Sequence, residues 1–430
     1  AHECVSAESN DVHAVLHEIT VGAARRIELV VNRSTSALPL WSFAFPALYP
    51  GGSHVAMSAD GARIVIAASD DAAGEIDLAV FAVTSNVPTA SVSIPVGGAL
   101  RGFDLSSDGT TLLMTAGGRA YWLDAASLAP LYDTAIGTFL DAAALSGDGS
   151  VAALGGYNWM RVYERVGATW NATYTRNVAG SNYVGAVDVS ADGSTVAYAF
   201  TYYDQFLSVR VEALDVPSKL VTMTELTTGS GAAQNLVADI AICADGSRFA
   251  LGVWGDAAAT VAELRVYARD AATPRALIDM PGSVFEVAIS ADGARGAAAA
   301  KAVHANTLGN GGSIVLWDAG GADLALRGRP VIGSLPMLDL YAPAGRHAFV
   351  LIATGLSPSA TPFGVSSWLH LDRDSMYGRV LGSVPASGVL TRAFPIPADP
   401  QFVGATLYIQ GRTSFPVELT RTWLTLTLVP

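Results

Sequence analysis

Six copies of one short pattern limit what this chain can fold into. They are Met57-Ser58-Ala59-Asp60-Gly61, Leu105-Ser106-Ser107-Asp108-Gly109, Leu145-Ser146-Gly147-Asp148-Gly149, Val189-Ser190-Ala191-Asp192-Gly193, Ile242-Cys243-Ala244-Asp245-Gly246 and Ile289-Ser290-Ala291-Asp292-Gly293. Their aspartates are spaced by 48, 40, 44, 53 and 47 residues. Each Asp-Gly pair lies between two short apolar runs. It therefore reads as a tight hairpin turn, with positive backbone angles at both residues.

A strand-built repeat of about 40–50 residues is the signature of propeller blades with four strands each. In the first clear unit the strands are Val55–Ser58, Arg63–Ala68, Ile76–Val83 and Ala90–Ile94. The start of the chain imitates the same unit, with Cys4–Asp11, Val12–Val21, Arg26–Val31 and Leu38–Phe45 as its strands. Seven blades result, near 1–50, 51–99, 100–138, 139–180, 181–232, 233–282 and 283–330. A rival arrangement closes the ring with both termini in one blade, using Leu338–Tyr341 and His347–Ala353 as inner strands.

These Ser-x-Asp-Gly turns, with strands such as Leu316-Trp317-Asp318 and Leu264-Arg265-Val266-Tyr267, resemble the WD40-like and YVTN-type β-propeller repeats of bacteria. The likeness covers residues 1–330 and implies a fold more than an activity, because such propellers host many functions. After residue 330 the repeat fades. Pro, Ser and Gly become frequent, as in Gly355–Pro362, and strands are expected at His347–Ala353, Ser367–Leu371, Val389–Ile396, Ala405–Gln410 and Thr422–Leu428. That density suits a small β-sandwich over 331–430. Phe394-Pro395-Ile396-Pro397 and Phe402-Val403-Gly404-Ala405-Thr406-Leu407-Tyr408-Ile409-Gln410 are similar to a C-terminal sandwich on exported proteins of myxobacteria and planctomycetes. The resemblance implies an extracellular or cell-surface location. The fold class expected is all-β: a seven-bladed propeller followed by a small sandwich.

Composition narrows the partners. A net charge of -13 repels phosphate backbones, which argues against nucleic acid. No apolar run reaches the roughly 18 residues of a membrane helix. Enzyme signatures such as Gly-x-Ser-x-Gly, His-Glu-x-x-His, Cys-x-x-Cys, a phosphate loop or a dinucleotide fingerprint do not occur. His13 and His17, four apart on a strand, stand about 13 Å from each other and cannot share a metal. Cys4 and Cys243 fall on blades that are not neighbours, so no disulfide is expected.

Lining up the first strands gives the candidate site. Counting back from the serine position, odd offsets are apolar. Even offsets are small or polar, and among them are His54, Asp104, Asp188, Asp239 and Glu286. Residues two apart share a strand face, so these five should converge near the propeller axis. Carboxylates brought together raise one another's pKa unless a cation compensates. Two outcomes are open. The five form a metal site for Ca²⁺ or another divalent ion, with Arg101 compensating Asp104, or the acids bond to backbone edges of neighbouring blades around a water-filled channel. Tyr202, Tyr203 and Trp159, in an aromatic stretch spanning two blades, are candidate ligand contacts on the loops. The reading that follows is an exported binding or scaffold protein without catalysis and with no required cofactor. Its ligand is a glycan or a surface protein. The alternative is a metal-assisted lactonase, hydrolase or lyase with its site in the channel.

Overall fold

The computed structural model describes the chain apart from residues 1, 7–11, 23, 34, 37, 48, 50, 71–72, 138–139, 179–181, 203–207, 232–233, 257–259, 294, 310, 319–322, 328–330, 343, 364–366, 386–388, 415–416, 421–422 and 429–430. Among the described residues there is no α-helix, and no helix long and apolar enough to cross a membrane. Among the same residues the only helical element is a single 3-10 turn at Pro400–Phe402.

Among the described residues the strands from His2 to Asp318 form seven antiparallel sheets in strict sequence order, six of four strands and a last one of three. The first sheet uses His2–Ser6, Val12–Val21, Ala24–Arg33 and Trp41–Ala44. Among the described residues no strand from the far end of the chain joins it, unlike the arrangement with mixed termini. The second sheet, Ser53–Met57, Arg63–Asp70, Glu75–Ala82 and Ala90–Pro95, follows the expected strands closely.

Packing is propeller-like because each apolar core lies between successive sheets. Along Arg63–Asp70, Ile64 and Ile66 join the core shared with the first sheet, whereas Val65 and Ala67 join the core shared with the third. Both faces of a second strand are therefore buried. This is why these segments read as continuous apolar runs rather than as alternating ones. Trp122 and Trp170 stack between the third and fourth sheets with centroids 5.6 Å apart.

The repeated turn is a hydrogen-bonded device. In the second sheet Ser58 Oγ donates to Asp60 Oδ1 (2.7 Å) and accepts from the Arg63 amide (3.0 Å). Asp60 Oδ1 also accepts from the Ala62 amide (2.9 Å). The same set recurs around Asp108, Asp148 and Asp192, and Cys243 Sγ takes the serine's place before Asp245. Only the glycine has a positive φ; the aspartate does not, which corrects the expected two-residue turn. The aspartate instead caps the loop with its carboxylate. Successive turns also bond to one another: Ala59 N to Ser107 O, Asp108 N to Gly147 O, Gly147 N to Ala191 O, Asp192 N to Ala244 O and Ala244 N to Ala291 O, all at 2.9–3.1 Å.

The glycine has a second duty. At Gly246 φ is +66°, and an added Cβ would stand 2.4 Å from Thr195 Oγ1 in the preceding sheet. Gly246→Ala is expected to lower the unfolding free energy by about 2 kcal/mol, from backbone strain plus overpacking. Urea denaturation checks this. A loss no greater than that of a surface substitution would show that the contact relaxes freely.

Beyond Asp318 the topology changes. The stretch 283–330 was expected to supply four strands to one blade, but Asp323–Arg327 pairs with Met337–Tyr341 instead. Among the described residues the seventh sheet keeps three strands, and the next strand, from Asp323, belongs to another sheet. Leu324 explains the exchange, since it is buried in the C-terminal core with Leu338, Leu340, Val350, Leu390 and Ile409. That core lies between two sheets. One is Asp323–Arg327, Met337–Tyr341 and Val389–Ala393; the other centres on His347–Ala353 and Thr406–Thr413. Gly355–Pro362, rich in Pro, Ser and Gly, contains most of the strand Leu356–Phe363, which pairs with Ser367–Leu371 through a register shift.

Candidate functional site

The inner strands place the predicted acids around one cavity of about 1180 Å³, bordered by Asp104, Asp188, Asp239 and Glu286. Each aspartate uses both carboxylate oxygens on backbone amides. Asp104 Oδ1 accepts from the Leu105 amide (2.8 Å) and Oδ2 from the Leu145 amide of the next sheet (2.6 Å). Asp188 accepts from Val189 (2.8 Å) and from Ile242 across the seam (2.8 Å). Asp239 accepts from Ile240 (2.8 Å) and from Val287 across the seam (2.9 Å). Three side chains thus clamp the inner strands of sheets three to four, five to six and six to seven. Amide donors stabilise the charged form, but the surroundings oppose it more strongly. Burial pushes Asp104 up to about 7 against its two amide bonds. Burial does the same for Asp188, helped by the charge of Asp104, and for Asp239, helped by the charge of Asp188.

The five expected ligands do not gather as a metal set. Among the described residues no group of three His, Cys, Asp or Glu side chains stands close enough to hold one ion. Asp104, Asp188 and Asp239 line the same cavity, but each spends both carboxylate oxygens on amides along its own seam. His54 leans on the next sheet, its ring 6.0 Å from Phe103. Glu286 borders the cavity and is exposed, as is Arg101, the expected counter-charge for Asp104.

The aromatic candidates divide. Trp159 is partly buried, with the Arg161 guanidinium 4.6 Å from its ring centroid. Tyr202 ends its strand and packs at the margin of the core between the fourth and fifth sheets. Tyr203 lies outside the described residues. Tyr157, in the same aromatic stretch two residues before Trp159, is 40% exposed. Cys243 is a buried free thiol; burial pushes its pKa up.

One polar cluster escaped sequence reading. Between sheets four and five, where no axial aspartate stands, Glu212 is fully buried and receives two arginines. Arg176 donates through Nε to Oε2 and through Nη2 to Oε1, both at 3.1 Å. Arg210 donates to Oε1 at 2.7 Å, and the Tyr198 hydroxyl to Oε2 at 2.7 Å. Burial alone would push Glu212 up, but the bonds from Arg176 and Tyr198 and the charges of both arginines hold it below the usual range. Arg210-Val211-Glu212 was the available signal: two charges on one face of an otherwise apolar strand.

No protein-family model matches the chain, and no curated protein does. Among solved structures, hydrazine synthase of Kuenenia stuttgartiensis is similar at 16% identity, over 58% of this chain and 74% of that one, with a TM-score of 0.45. A chain of the mitotic checkpoint complex is similar at 15% identity, over 68% and 82%, with a TM-score of 0.48. At these values neither likeness bears on the site or on an activity.

Proposed function

We propose that this chain is an exported, non-catalytic binding or scaffold protein, a seven-bladed β-propeller followed by a small β-sandwich. Its ligand, a glycan or a surface protein, meets the loops at the channel end near Trp159 and Tyr202, and no cofactor is needed. The observation that carries this reading is the use made of the channel acids. All six oxygens of Asp104, Asp188 and Asp239 are bonded to amides, three of them across a seam. Groups committed to joining strands serve the frame, and recognition falls to the rim. Glycan and surface-protein arrays probed with the wild type, Tyr202→Ala and Trp159→Ala test it. Binding lost in the variants with melting temperature nearly kept supports the reading; unchanged binding removes those residues from it.

A second reading has one observation in its favour. Carboxyls with pKa values near 7 on the wall of a cavity are also what acid–base chemistry needs. A metal-assisted lactonase, hydrolase or lyase would lose turnover in Asp188→Ala and Asp239→Ala. The binding reading expects those variants to lose stability only. Elemental analysis with melting before and after chelation separates the two further. About one equivalent of Ca²⁺ or another divalent ion, and a fall in melting temperature on its removal, would favour the channel site. An unchanged transition favours the rim.

A further inference from the structure

The Glu212 cluster carries more positive charge than its structural task requires. One carboxylate is matched by two guanidiniums, and the two converge on the same oxygen, Oε1. The carboxylate side chain is 1% exposed, whereas the side chains of Arg176 and Arg210 remain 33% and 30% exposed. Among the described residues one unit of positive charge is left over in the cluster and reaches the surface, in a chain whose net charge is -13. Neutralising Glu212 alone would need only one arginine. A second, about a third exposed, is the arrangement of a receptor for an anion, because an arginine held by a carboxylate on one edge presents its other N–H groups in a fixed fork.

The place of the pair adds a direction. Arg176 lies at the end of Thr169–Asn177 and Arg210 near the start of Ser208–Asp215. Both are therefore near the channel-end loops, on the rim that includes Tyr202. Tyr174 and Tyr202 pack at the margin of the same seam, and Tyr202 also bonds to Arg210. Two tyrosines beside two guanidiniums offer an aromatic wall next to a carboxylate fork. A uronic acid residue presents both complements in one unit, a carboxylate on a ring with an apolar face. We propose that Arg176 and Arg210, flanked by Tyr174 and Tyr202, bind the carboxylate of an acidic sugar in a glycan. This rests on the glycan form of the function proposed above and names its chemical class.

The test is isothermal titration of the full chain with oligogalacturonate, a neutral cello-oligosaccharide and oligoglutamate. Oligogalacturonate is expected to bind at least about tenfold more tightly than the neutral sugar. Arg176→Gln and Arg210→Gln should each weaken it about tenfold. Because those changes also touch the buried Glu212, Tyr202→Ala is measured beside them, with a melting curve for every variant; it should weaken acidic-sugar binding too while the fold stays intact. Equal binding of the neutral sugar, unmoved by these substitutions, overturns the arginine site and leaves the glycan reading standing. Binding of neither sugar overturns both. Oligoglutamate bound as tightly as oligogalacturonate overturns the sugar assignment.

Discussion

Glu212→Ala is expected to lower the unfolding free energy by about 3–5 kcal/mol, the cost of leaving buried charge without its partner. The substitution removes the acceptor of Arg176, Arg210 and Tyr198 together, on a seam where neither Ala142 nor Ala144 supplies an axial clamp. The two guanidiniums would then repel each other across the vacated space. Arg176→Ala should cost less, about 1–3 kcal/mol, since Arg210 and Tyr198 still hold the carboxylate. Urea denaturation of both single variants and the double variant closes a cycle. The double variant should be less destabilised than the sum of the singles, because the second change removes a charge that the first left unpaired. A Glu212→Ala loss within the range of a surface substitution, about 0.5 kcal/mol, would mean that the seam is held by packing alone.

The contrast between this cluster and the axial aspartates shows what a single sequence can carry. The Asp-Gly turns announced the sheets because a hairpin needs particular residues at particular places. The strands between them alternate or run apolar for reasons that packing on one or two faces imposes. The same alternation put Asp104, Asp188, Asp239 and Glu286 on one cavity wall, where the structure has them. Their partners were harder to see, since an amide has no signature of its own. Yet the partners lie 41, 54 and 48 residues downstream, one more than the local repeat spacings of 40, 53 and 47. The repeat thus held the acceptor–donor register, and only the idea that a carboxylate serves its neighbouring strand was missing. Asp323–Arg327 could not be placed for another reason. Its short alternating run suits a fourth strand of the seventh sheet as well as a strand of the next sheet, and Leu324 is buried among residues far along the chain, beside its pairing with Met337–Tyr341. Arg176 and Glu212, 36 residues apart with no motif to mark them, meet only because sheets four and five do.

The axial aspartates should also set how stability depends on pH. Their folded pKa values near 7 stand well above the ordinary value of 3.8, and Glu263 is likewise pushed up to about 7 by burial. Between about 4 and 7 the folded state therefore keeps protons that the unfolded chain has released, so stability falls as pH rises and levels off above 7. The turn aspartates act with the opposite sign. Bonds from Ser247 and Cys243 hold Asp245 at about 2, and Ser58 with the Ala62 amide lowers Asp60; what they contribute is lost as pH drops through those lowered values. The two sets together place maximal stability on the acid side of neutrality, near pH 4–5. Urea unfolding at pH 5 should give a free energy at least ~2 kcal/mol above that at pH 8. Asp188→Asn and Asp239→Asn remove one titrating group each and should flatten the slope, whatever they do to the absolute value. A curve that rises from pH 5 to 8, or a slope untouched by either substitution, would mean that the amide bonds outweigh burial and keep these carboxylates charged. The channel wall would then be anionic at neutral pH, and the case for a bound cation there would strengthen accordingly.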